Sequence, residues 1–384
     1  MVLINFILLV EIIPEFSDFQ RKRIKIPKIM KKIVVKVGTN VLSRDDGSLD
    51  ITTISHLVDQ ISSLKKQGIQ IILVSSGAVG SGRSALKHIS ETNPVIRRQL
   101  FASVGQVKLM QRYSELFSQF GIFCGQVLAT REDFRDRTHY LNMKNCLTAL
   151  LRDEIIPIVN ENDVISVSEL MFTDNDELAG LIAGMVDAEM LVLLTNVDGI
   201  FTGSPDDPES KRIPEIRVSE KKSISVLPIK SSFGRGGMQT KYRIALKSAR
   251  MGIRVVIANG KTTNILQNIL DLKPVGTVIM PETPVSGIKK WISTHNGTYK
   301  ATITISEGAV SALNDRQTVK SLLPVGLIKI EGEFDKGDVL RIVGPSGDQI
   351  GVGIAQYSSE KAHELLGQSG KKALIHYDYL VLEP

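Results

Sequence analysis

Between Lys32 and about Met280, short apolar runs alternate with longer stretches whose apolar residues recur every three or four positions. The runs are Ile33 to Val37, Ile69 to Val74, Ile155 to Val159, Met190 to Leu194 and Ile253 to Ile257, several rich in β-branched residues. Unbroken apolar runs of this length suit strands buried on both faces, as in parallel sheets covered by crossover helices. In one intervening stretch Ile54, Leu57, Val58, Ile61 and Leu64 share a helical face, and Lys65-Lys66-Gln67-Gly68 ends it with basic residues and a glycine stop. The pattern predicts an α/β fold on a mainly parallel, doubly covered sheet.

After Pro281-Glu282-Thr283-Pro284 the pattern changes to short alternating strands between glycine turns. These are Ala301 to Ile305, Gly326 to Glu331, Val339 to Val343, Gly351 to Tyr357 and Tyr379 to Leu382. They predict a compact β-rich second domain. A chain of 384 residues has room for both. The expected division is an extension over 1–29, a catalytic domain over 30–280, a linker over 281–287 and a small domain over 288–384. Met1 to Val10 is apolar but too short to span a bilayer, and Glu11 and Glu15 follow with no basic residue before them, unlike a secretory signal. Translation is expected to begin at Met30, or residues 1–29 to form a poorly packed extension. No membrane association is expected.

The net charge of +6 is modest and spread along the chain, which weakly favours anionic ligands without demanding nucleic acid. Cys124 and Cys146 stand alone, so neither a disulfide framework nor a zinc site is indicated, and a reducing cytoplasm is the expected compartment. The six histidines show no metal-ligand spacing, and no protein metal site is read from them.

Four segments follow strands or open helices, and in open α/β sheets ligands collect at the carboxyl ends of the strands. Lys36, in Val35-Lys36-Val37-Gly38-Thr39, sits in an apolar strand where an unpaired charge is costly; it either has a phosphate or carboxylate partner or is a strand-end lysine reaching solvent. Ser75-Ser76-Gly77-Ala78 has the small residues that let backbone amides approach an anion, or is a tight βα turn. Asn160-Glu161-Asn162-Asp163 and Asp174-Asn175-Asp176 can receive an ammonium group, orient lysines or position magnesium through water; the alternative is helix capping, above all for Asp174. Arg235-Gly236-Gly237-Met238-Gln239-Thr240-Lys241 opens a helix expected from about Thr240 to Met251 and is either a phosphate cradle or a surface loop, without P-loop spacing. Thr195-Asn196-Val197-Asp198-Gly199 follows another strand and suits a nucleotide loop or a plain turn.

At these residues, and at Val104-Gly105-Gln106, the chain resembles the glutamate 5-kinases within the amino-acid kinase family, from about Met30 to its end. The resemblance implies a three-layer αβα sandwich that transfers phosphate from ATP, with Mg2+, to the side-chain carboxylate of L-glutamate, the first step of proline biosynthesis. By matching positions, it implies that Lys36 and Lys241 stabilise the transferring phosphoryl group and that Asp176 holds both lysines. Ser76, Asn160, Asp163 and Asn175 would bind glutamate, with the Gly77 backbone N–H near the reacting oxygens. Lys36, Thr195, Asn196 and the loop Arg235, Gly236, Gly237, Met238, Gln239, Thr240 and Lys241 would contact ATP. Asn196 departs from the aspartate often found there. The resemblance also implies feedback inhibition by proline, and a homo-oligomer is expected.

From about Ile288 the chain resembles a PUA domain, a small β-barrel module, at Glu307-Gly308-Ala309 and Ser321-Leu322-Leu323-Pro324-Val325-Gly326. RNA binding is not expected, since clustered aromatics and arginines are few. The competing functions are an amino-acid kinase acting on aspartate, acetylglutamate, carbamate or a nucleotide, and an RNA-binding protein with a kinase-like scaffold.

Overall fold

The computed structural model describes residues 31–44, 46–86, 88–166, 172, 174–205, 207–218, 237–281, 299–315 and 320–382. The expected extension, and all of the expected linker except Pro281, lie outside these residues.

The larger sheet has eight strands: β1 (Lys32–Val37), β2 (Gln70–Ser75), β3 (Cys124–Ala129), β4 (Ile156–Glu161), β5 (Met190–Thr195), β6 (Glu215–Arg217), β7 (Arg254–Asn259) and β8 (Thr277–Met280). Between them run α1 (Thr39–Leu42), α2 (Ile51–Lys66), α3 (Ala78–Ala85), α4 (Pro94–Ser118), α5 (Glu132–Arg135), α6 (Arg137–Arg152), α7 (Asn175–Met185), α8 (Met238–Arg250) and α9 (Ile265–Leu270). The spatial order is β3-β4-β2-β1-β5-β7-β8-β6, parallel except where β8 runs against β7. The chain leaves β1 toward β2 on one side and later returns on the other side as β5. That reversal opens a crevice at the carboxyl ends of the central strands.

Helices cover both faces, α2, α4 and α9 on one and α6, α7 and α8 on the other. The pleat sorts the strand residues between them. Val34 joins the core formed with Leu178 and Ile182 of α7 and Ala245 and Ala249 of α8. Two residues on, Lys36 must point to the same side. Strand parity thus brings an ammonium group under α7 and α8.

On the opposite face α3 and α4 meet backbone to backbone. A Cβ added at Gly82 would lie 1.8 Å from the Phe101 carbonyl oxygen, and one at Gly105 would lie 1.7 Å from that of Ala78. Any side chain at either position would drive the helices apart. The residue before α3, Gly77, has φ 105°, in the left-handed region that glycine enters without strain.

A second sheet of five strands, β9 (Ala301–Ile305), β10 (Leu327–Glu331), β11 (Val339–Val343), β12 (Gln349–Ile354) and β13 (Leu380–Leu382), has the order β10-β9-β11-β12-β13. Only β9 and β11 pair in parallel among these neighbours. α10 (Glu307–Asn314) is capped by Ser306, whose Oγ accepts from the Ala309 N–H, and α11 (Ser359–Leu365) follows β12. Alternation divides β11: Leu340 and Ile342 enter the small core with Ile303 and Ile375, whereas Val339 joins Val352 and Ile354 in the core of the larger sheet with Ile216 and Ile279.

The five runs read as buried strands are β1, β2, β4, β5 and β7, and the five later runs are β9 to β13, each shifted by a few residues at most. β3, β6 and β8 were not anticipated. β3 is half-exposed, so it shows neither a full apolar run nor clean alternation, and β6 is only three residues long.

Candidate active site

Lys36, near the end of β1, and Lys241 of α8 meet on one carboxylate from α7. Its Nζ lies 2.6 Å from Asp176 Oδ1, and the Lys241 Nζ donates to Asp176 Oδ2 at 2.8 Å. One fully buried carboxylate therefore holds one ammonium on each oxygen. Asp176 lies in the first turn of α7 and Lys241 in the first turn of α8, whose N-cap is Gly237. The helix begins at Met238, two residues before the expected start, because Gly237 provides the extended N-cap. Burial alone would raise the Asp176 carboxyl, but Lys36 and then Lys241 outweigh it and hold the pKa down at about 2. The trio carries a net positive charge at the floor of a cleft of about 590 Å3. Phosphate oxygens are the ligands such a charge favours.

Asp174 performs two tasks. Its Oδ1 accepts from the backbone N–H groups of Asp176 and Glu177 at 2.9 and 3.1 Å, the capping role that composition allows. Its Oδ2 is buried with no hydrogen-bond partner, in a side chain that lines the cleft. Burial, then the neighbouring Asp176 charge, pushes its pKa up to about 6, against the opposing pull of Lys36 and Lys241. The native state therefore binds this proton where the unfolded chain, near 3.8, has released it. The associated stability is complete below the unfolded pKa and is lost as pH rises through about 6. Asp174→Asn keeps a capping oxygen and cannot ionise. Its thermal stability should gain on the parent as pH rises from about 4 to about 8, by ~2–3 kcal/mol at the upper end. A difference independent of pH in melts across that range would show that Asp174 is not the source.

One flank of the cleft is built from strand ends and the start of α7. Asn175 donates through Nδ2 to Ser76 Oγ at 2.8 Å and to Asn160 Oδ1 at 3.0 Å. The Glu161 backbone N–H also donates to Asn160 Oδ1, at 2.9 Å, and Asn160 donates through Nδ2 to Gln106 Oε1 at 2.9 Å. Asp163 accepts from Arg98 of α4, whose Nε donates at 3.1 Å and whose Nη2 also contacts the same oxygen; that Nη2 lies 3.8 Å from Glu161. Ser76, Gly77, Asn160, Asp163 and Asn175 all line the cleft with Lys36, Asp176 and Lys241.

On the other flank Thr195 and Asn196, after β5, also line the cleft, and the Thr195 hydroxyl donates to Asn196 Oδ1 at 3.4 Å. Gly237, Met238, Gln239 and Thr240 stand at the start of α8 without lining it, and the Met238 side chain is packed in the core. Arg235 and Gly236 lie outside the described residues. Sequence reasoning did not single out Arg98 or Arg83, which line the cleft. Both come from helices, where a lone arginine carries no local mark. Among the described residues no group of three or more His, Cys, Asp or Glu is arranged to hold a metal ion, and no helix is long and apolar enough to cross a membrane.

The profile of the amino acid kinase family matches residues 31–259, and that of the PUA domain matches residues 301–376. A glutamate 5-kinase from Bacteroides thetaiotaomicron is 54% identical over 356 residues, covering 92% of this chain and 98% of that protein. Another from Chlorobaculum tepidum is 46% identical over 358 residues, covering 93% and 98%. Among solved structures, the carbamate kinase from Giardia lamblia bound to AMP-PNP aligns with a TM-score of 0.50 at 18% identity, over 66% of this chain and 99% of that one. The last likeness concerns the fold alone.

Proposed function

We propose, from the premise that the chain belongs to the amino acid kinase family, that it phosphorylates the γ-carboxylate of L-glutamate with ATP, giving L-glutamyl 5-phosphate and ADP. The near-full-length likeness to proteins named glutamate 5-kinase supports the acceptor and a place in proline biosynthesis. The observation that carries the chemistry is the Lys36–Asp176–Lys241 trio beneath the cleft. A carboxylate oxygen of glutamate attacks the γ-phosphorus while the bond to the ADP oxygen breaks. Such transfer is governed by positioning and by neutralising charge on the phosphoryl oxygens.

In this reading Lys36 and Lys241 take charge from the phosphoryl oxygens, and Asp176 keeps the two ammonium groups from separating. Asp163 and the Asn175 carbonyl receive the substrate ammonium. Ser76, Asn160 and the Gly77 N–H address its carboxylates. Thr195, Asn196 and the segment from Arg235 to Lys241 are assigned to ATP. Magnesium fits as an ion carried on the nucleotide, because it is commonly bound through phosphates and one or two carboxylates rather than by a protein cage, and the unpartnered Asp174 Oδ2 offers a carboxylate oxygen at the cleft. When bound, it neutralises phosphate charge. Cytoplasmic location, a homo-oligomer and inhibition by proline belong to the same proposal, with no RNA bound by the small domain.

Incubation with ATP, magnesium, hydroxylamine and one acceptor at a time tests the reading, since acyl phosphates are trapped as hydroxamates. Glutamate-dependent hydroxamate is the expected product. Activity confined to aspartate or acetylglutamate overturns the acceptor, and no product with any carboxylate overturns carboxylate phosphorylation and leaves the nucleotide-kinase reading.

A further inference from the structure

The hydrogen bonds behind the acceptor side have a direction, and that direction can be followed atom by atom. The Glu161 backbone N–H can only donate, and it donates to Asn160 Oδ1. The Asn160 amide is therefore oriented with Nδ2 on its other side, where Gln106 Oε1 accepts it. Because Asn160 presents an oxygen toward Asn175, the nitrogen of Asn175 must face it, and the same nitrogen also donates to Ser76 Oγ. Two groups are thereby left for a ligand. Asn175 Oδ1 is a buried acceptor with no partner, and the Ser76 hydroxyl, already accepting, retains its proton to donate. Both residues line the cleft.

Gln106 terminates this relay. It lies in the middle of α4, is 9% exposed, and does not itself line the cleft. Reversing its amide would set Nε2 against Asn160 Nδ2, donor against donor. The orientation present instead leaves Gln106 Nε2 buried without a partner, a desolvation cost that an apolar side chain at this position would avoid. The polar group is therefore not explained by packing. Its one hydrogen bond holds Asn160 in the sense that Asn175 and Ser76 require.

Resting on the glutamate-kinase reading, we propose that Gln106 is a positioning residue: through Asn160 and Asn175 it fixes the polarity of a relay that leaves the Ser76 hydroxyl as donor and the Asn175 carbonyl as acceptor for glutamate. The donor addresses a carboxylate and the acceptor an ammonium, so the relay selects an α-amino acid over an N-acylated one.

Gln106→Met keeps the length and removes the acceptor. The expected result is a glutamate KM raised on the order of tenfold, the equivalent of one hydrogen bond, with kcat and the KM for ATP within about threefold and little change in melting temperature. Gln106→Glu, which restores an acceptor, should recover most of the loss. Ser76→Ala should cost less in the Gln106→Met background than in the parent, because the two act through one relay. An unchanged glutamate KM, a parallel rise in both KM values with lowered melting temperature, no recovery in Gln106→Glu, or additive effects would each overturn the relay. Gln106→Ser removes the acceptor by shortening and gives the same test if the Met variant does not fold. A parent that forms no glutamate-dependent hydroxamate overturns the function itself; an active parent with an indifferent Gln106→Met overturns only the relay.

Discussion

Asp176→Ala is expected to lower kcat by a factor on the order of 10² to 10³ and to destabilise the fold by ~3–5 kcal/mol. The two losses have one cause. Lys36 and Lys241 are both buried, and each takes one oxygen of this carboxylate as its counter-charge. Without it, two ammonium groups share a desolvated floor and repel one another. Breaking a buried pair by removing one partner is costly because the remaining charge cannot return to water. The lysines are then also free to swing from the positions in which the proposed mechanism uses them. Steady-state kinetics together with thermal denaturation checks both parts. Near-parental kcat in a destabilised protein would confine Asp176 to the fold.

Lys241→Ala separates these effects. Asp176 retains Lys36 at 2.6 Å, so the variant leaves no isolated buried charge. The expected stability loss is small, ~1–2 kcal/mol, while kcat falls by ~10² or more, as when one preorganised charge is removed from a transition state. In the proposed mechanism the lysine meets charge that develops during transfer, so kcat and kcat/KM should fall together with little change in the glutamate KM. A variant impaired only in substrate KM would assign Lys241 to binding. Arginine is not expected to restore activity, since its wider, planar head places charge differently from a compact ammonium.

The parts of this site that were legible in the sequence are those carried by strand ends and by the helix starts that follow them. Lys36, Ser76, Asn160 and Thr195 each terminate or follow an apolar run, so a parallel sheet brings them to one edge by construction. Asp174 shows the limit of such reasoning. Capping and cleft-facing readings appeared to compete, yet one oxygen serves the helix and the other faces the ligand space. Val104-Gly105-Gln106 of α4 stood among the residues that carry the resemblance, but what that helix contributes to the site was not legible. Gln106 meets Asn160 and Arg98 meets Asp163 across 54 and 65 residues of chain, and the Tyr113 hydroxyl shares a hydrogen bond with Ser75 at 2.8 Å. Positions 98, 106 and 113 fall on one helical face, but which face turns to the site is set by packing against α3, a tertiary fact. The missed strands lie toward the sheet edges, where exposure dilutes the apolar pattern.

Side-chain layers between helices act as cushions, because they repack when one helix shifts slightly against another. No such layer separates Gly82 from Phe101 or Gly105 from Ala78. α3 and α4 are keyed together like cogs, and the Ser76-Gly77 turn takes its place from wherever α4 is seated. The outer side of that same helix presents Val95, Ile96, Leu100 and Val107 to the exterior. A displacement of α4 would reach the Ser76-Gly77 turn with no side-chain layer to absorb it, so the cleft keeps its shape only while α4 keeps its seat.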